Sequence, residues 1–170
     1  MGLEDEVVAF CWDRVGNGGH DDLSLRLGRW VHRCDSYYFA IEAAGAGPEL
    51  GAARVAKVML ALLRQWRDRV LQLADGALVY LPFDFSDQCT CWLRVQRSGS
   101  QLEIAAGWSS IEGYSFPPSD FSQIQPSDWR QIAEAPIVST TVEEWARAVT
   151  DSGAKLNDSH CHLLGLWQPN

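Results

Sequence analysis

No stretch of about eighteen apolar residues occurs in this 170-residue chain, so no segment is long enough to cross a bilayer as a helix. The opening residues, MGLEDEVVAF, lack the basic region of a secretory signal, and their apolar run is too short for one. They also lack the Ser or Thr at the sixth position that myristoylation requires. Basic charge is scarce: 14 Lys and Arg stand against 22 Asp and Glu, a net charge of −8. Phosphate repels such a surface, which excludes direct nucleic-acid binding as an expectation. There is no phosphate loop, no Gly-x-Ser-x-Gly elbow, no His-Glu-x-x-His, no internal repeat and no low-complexity tract. The five cysteines, Cys11, Cys34, Cys89, Cys91 and Cys161, are odd in number and irregularly spaced. Together these absences predict a cytoplasmic chain with reduced thiols, no membrane association and no cofactor.

What is present predicts one α+β domain over residues 1–170, large enough to bury a core, with 46% hydrophobic residues. Residues 1–45 read as strands and a hairpin. EVVAFCWDRV and LSLRLGRWV flank the turn GNGGHDD, and Leu23, Leu25 and Leu27 alternate with Ser24 and Arg26. YYFAIEA fits a third strand, and a helix from Trp30 to Ala44 is the alternative. Residues 48–73 predict a long amphipathic helix opened by Gly47-Pro48, with Val55, Val58, Met59, Leu62, Trp66, Val70 and Leu73 on one face. Arg54, Lys57, Arg64 and Arg67 lie opposite. Residues 77–108 predict an antiparallel sheet packed on that helix, followed by a loop-rich segment, 109–136. A short C-terminal helix, 141–152, begins at a capping box of Thr140 or Thr141 with Glu143 or Glu144 and stops at Gly153. Residues 153–170 read as a loosely attached tail.

The densest chemistry lies in LPFDFSDQCTCWLRV, residues 81–95. On a strand, Cys89, Cys91, Leu93 and Val95 share one face, and thiols beside Leu and Val are core packing. No bound metal is therefore expected. The alternative joins Cys89 and Cys91 to His160 and His162 as a Cys2His2 zinc site in a regulatory or adaptor protein, although a one-residue ligand spacing is unusual for zinc. Asp84 and Asp87 could do acid–base work, and Cys11 could be a nucleophile if His20 approached it; turn side chains bonding local backbone explain the aspartates equally well. The chain is accordingly read as a binding protein and not an enzyme. Residues 100–144 carry seven acids against Arg130 alone, and they include GWSSIEGYSF. Trp108, Glu112 and Tyr114, with Asp84 and Asp87, form the predicted partner-binding set, since aromatic anchors ringed by carboxylates suit a basic protein surface. The plainer reading is that Trp108 covers one end of the sheet.

Across residues 77–150, the segment LPFDFSDQCTCWLRV followed by LEIAAGWSSIEGYSFPPSDF and a capped helix resembles the immunity proteins of bacterial polymorphic-toxin systems. These are encoded beside a toxin delivered by contact-dependent or type VI secretion. The resemblance implies a cognate toxin as partner, neutralised by occlusion, and carries over no catalytic residues. The paired Cys89 and Cys91 and the His160 and His162 tail stand outside that pattern.

Overall fold

Leucine at every second position needs a buried face, and Leu23, Leu25 and Leu27 find one: all three are fully buried in the computed structural model. The structure describes residues 7–12, 18–42 and 51–163; for Trp12 and for residues 157–163 it describes the backbone alone. Strand β1 (Val8–Trp12) pairs antiparallel with β2 (Leu23–Leu27), which pairs with β3 (Trp30–Cys34), giving a three-stranded sheet. The third strand expected at YYFAIEA is corrected: Tyr37–Ile41 form a one-turn helix, α1, and of the alternative helix from Trp30 to Ala44 only this turn forms, because Trp30–Cys34 pair with β2 as β3.

Helix α2 (Gly51–Leu71) buries the stripe Val55, Val58, Met59, Leu62, Trp66 and Val70, as its periodicity requires. The proposed start at Gly47-Pro48 lies outside the described residues. Strands β4 (Leu78–Phe85), β5 (Thr90–Ser98) and β6 (Gln101–Ser109) form an antiparallel meander. Two further strands, β7 (Arg130–Gln131) and β8 (Ile137–Thr141), line the outer edge of β6 one after the other. Neither was expected, because two residues, Arg130–Gln131, and the unalternating Ile137–Thr141 carry no strand period of their own. β6 supplies the template. The segment between β6 and β7 is irregular, yet it is pinned by apolar side chains: Phe116 stacks on Trp92 at 5.5 Å, and Phe121 is fully buried beneath the Arg69 guanidinium.

The final helix, α3 (Val142–Leu163), opens on a reciprocal capping box. The Glu144 N–H donates to Thr141 Oγ1 (3.1 Å), while the Thr141 N–H donates to Glu144 Oε2 (3.0 Å). The expected stop at Gly153 and the loose tail beginning there are corrected: the helix runs through Gly153 to Leu163. That glycine is a point of close approach between helices. A Cβ there would come within 3.3 Å of Leu60 Cδ2 on α2. The two helices meet through Trp66 and Trp145, stacked at 6.0 Å, and Phe10 of β1 packs on Trp66 at 5.4 Å. The Trp66 indole N–H donates to Pro82 O on β4, tying α2 to the meander. Among the described residues no helix is long and apolar enough to cross a membrane.

Candidate functional site

The turn from Phe85 to Thr90 and the loop after β6 meet at one end of the meander because Gly113 has no side chain. A Cβ at Gly113 would lie 2.8 Å from Phe85 Cβ and from the Ser86 backbone nitrogen. Its absence lets the Gly113 N–H donate to Ser86 O at 2.7 Å. Thr90 Oγ1 donates to Ile111 O at 2.8 Å and closes the same junction. This latch sets Glu112 and Tyr114 beside the turn that carries Asp87.

Hydrogen bonds then organise the rim. The Tyr38 hydroxyl donates to Asp87 Oδ1, and burial followed by this bond pushes the phenol's pKa well up. Tyr114 remains 62% exposed, and its hydrogen bond to Glu112, with lesser contributions from burial and from Asp87, raises its pKa. Both phenols therefore keep their protons at neutral pH and act as donors. Between them lies a groove of about 340 Å³, lined by Tyr38, Ile41 and Glu42 on one side and by Gly113–Pro118 on the other. Ile41 and Tyr37 are exposed beside it. Glu42 is buried and held, its two oxygens accepting from the N–H and hydroxyl of Ser119. The groove itself is mainly apolar, and the other carboxylates near it are Asp87, bonded to the lining Tyr38, and Glu112, next to the lining Gly113.

Of the five residues in the predicted set, Asp87, Glu112 and Tyr114 come together at this rim. Asp84 and Trp108 do not join them; they lie in a row across the sheet. Asp84 is directly opposite Cys91, and Cys91 is directly opposite Trp108, so the three share one face. Trp108 is 38% exposed, with the Arg130 guanidinium 5.6 Å from its ring. Asp84 is partly buried and engaged: His32 Nε2 donates to its Oδ2 at 2.9 Å, and the Asp35 N–H donates to its Oδ1 at 3.3 Å. Sequence reasoning missed His32, Tyr38 and Ile41. His32 alternates with Val31 and Arg33 in a short strand, and nothing local marks the carboxylate 52 residues away that it meets.

The cysteines divide in the same way. Cys89 falls in the turn before β5, its sulfur 3.3 Å from Ser86 Oγ, and so does not share the strand face expected of it. Cys91 is on the strand and almost wholly buried; burial, then Asp84, pushes its thiol far up. Cys34 is raised for the same reasons in the same order. Thiols held protonated are poor nucleophiles. The alternative zinc ligands His160 and His162 have side chains outside the described residues. Cys11 is half-buried on β1, whereas His20 is bonded through Nδ1 to Asp35. Comparison with family models, with curated proteins and with solved structures finds no match for this chain.

Proposed function

We propose that this chain is a binding protein that captures a basic protein partner at the rim formed by Asp87, Glu112 and Tyr114. The supporting observation is the pairing of a largely exposed Tyr114 with Glu112 at the lip of an apolar groove whose walls are already braced by Gly113 and Tyr38. An exposed aromatic on a rigid loop offers contact area with little ordering cost. Carboxylates around it speed encounter with a positive surface. The resemblance to immunity proteins supports a secreted bacterial toxin as that partner, neutralised by occlusion of its working surface.

Co-expression with the product of the adjacent gene tests this reading through cell survival and complex formation. Glu112→Lys should slow association, with a loss that shrinks as salt rises. Tyr114→Ala should mainly speed dissociation. Normal growth of cells that express that product without this chain would remove the neutralising role. A complex indifferent to both substitutions would remove the proposed surface.

A further inference from the structure

A β-bulge between Pro82 and Asp84 decides which side chain faces Cys91. Up to that point the register runs Leu81 opposite Leu93 and Pro82 opposite Trp92. Unbroken, it would set Phe83 against Cys91. The bulge passes over Phe83 and sets Asp84 there instead. Bulges re-aim side chains in this way, and they concentrate near functional groups. From the other sheet, β3 brings His32 to the same point. One ring nitrogen of His32, one Asp84 carboxylate oxygen and the Cys91 sulfur all lie within 4.8 Å of one another.

We propose that His32, Asp84 and Cys91 are the protein ligands of a single zinc-class transition-metal ion, bound between the two sheets with water completing the coordination. Imidazole nitrogen, carboxylate oxygen and thiolate sulfur suit zinc, whereas magnesium and calcium take oxygen ligands. Around a tetrahedral ion with bonds of roughly 2.0–2.3 Å, ligand atoms stand about 3.5 Å apart, so a modest inward movement of side chains closes the site. The His32 ring is already oriented. Phe83 meets it edge-on at 5.4 Å, and Trp30 lies at the same distance on a tilt. The Asp35 N–H holds the other oxygen of Asp84. Such supporting contacts aim ligands. The His32 and Asp84 side chains are 26% and 21% exposed, which leaves the site reachable from solvent.

Binding replaces the Cys91 S–H bond with a sulfur–metal bond and releases that proton to water. His32 gives its Nε2 proton to water and takes one from water at Nδ1, so that the neutral ring coordinates through Nε2, and Asp84 exchanges its hydrogen bond from His32 for a bond to the ion. A hydrogen-bonded tether between the sheets would need only His32 and Asp84. The bulge that sets this carboxylate opposite a thiol is what the metal site accounts for.

The test uses the full chain titrated with Co²⁺ and then Zn²⁺. One equivalent of Co²⁺ should give a thiolate-to-cobalt charge-transfer band, and zinc should bleach it. Cys89→Ser should keep the band and Cys91→Ser should lose it. His32→Gln can still donate a hydrogen bond to Asp84, and it should weaken binding by about tenfold or more. That variant decides the matter if Cys91→Ser does not fold. Absence of the band in the unmodified chain would overturn the proposal, and so would a band that survives Cys91→Ser or unweakened binding in His32→Gln. A band lost only when His160 and His162 are replaced together would transfer the metal to the terminal residues and overturn it equally.

Discussion

Two aspartates three residues apart in Phe83-Asp84-Phe85-Ser86-Asp87 lie in different surroundings. Asp87 is exposed, bonded to a phenol, and belongs to a rim with Glu112 and Tyr114. Asp84 is drawn inward by the bulge, bonded to an imidazole and a backbone N–H, and faces a thiol. Residue type and spacing are shared by both; solvent and neighbours are not. A carboxylate at a wet edge steers a partner, whereas one sheltered beside nitrogen and sulfur is placed to hold an ion or join two sheets. The difference teaches that the register of one hairpin decides which of two nearby carboxylates stays in water and which is sheltered.

The strongest perturbation of the rim is Phe85→Ala. Phe85 is buried and meets Tyr38, Phe39 and Phe116, so it supports both walls of the groove. Its truncation should cost about 3–5 kcal/mol in chemical denaturation. A cost below that of an ordinary surface substitution would mean that the rim is not built on this side chain.

The two carboxylates themselves give the next contrast. Asp84→Ala leaves His32 and the Asp35 N–H without their acceptor in a partly buried place, and should cost about 1–3 kcal/mol. Asp87→Ala removes one hydrogen bond at an exposed edge and should cost about 0.5–1.5 kcal/mol. Denaturant midpoints measured on both variants without added metal compare them directly. A greater loss for Asp87 would reverse the assignment of inner and outer roles.

The smallest expected effect is a pH dependence. His20 is raised above its ordinary value of 6.5, chiefly by its hydrogen bond to Asp35 and then by that residue's charge, and it stacks on Tyr37 near the rim. A raised folded-state value means that protonated His20 stabilises the fold. The contribution is fully present below pH 6.5 and is lost as pH rises through the raised folded value. The exposure of His20 keeps the effect slight. Stability profiles of the parent and His20→Gln should therefore converge at high pH and separate at low pH; separation only at high pH would contradict the pairing.

The chain's local patterns determined the elements whose stabilising contacts repeat within a few residues. The apolar stripe of α2, the alternating strands β2, β5 and β6, and the Thr141–Glu144 box were legible because each element carries its own period or its own cap. Of the candidate site, Asp87, Glu112 and Tyr114 were legible as exposed polar and aromatic groups in turns. Only the tertiary structure decided what depends on a distant partner. β7 and β8 exist because the edge of β6 offers them hydrogen bonds. α3 continues through Gly153 because α2 packs against that point, where local propensity predicted an end. One inserted residue set Asp84 against Cys91, and the pairing of three N-terminal strands brought His32 to both. Local propensity is a matter of tenths of a kcal/mol per residue, whereas packing and sheet pairing act over whole elements, so distant contacts prevail wherever the two disagree.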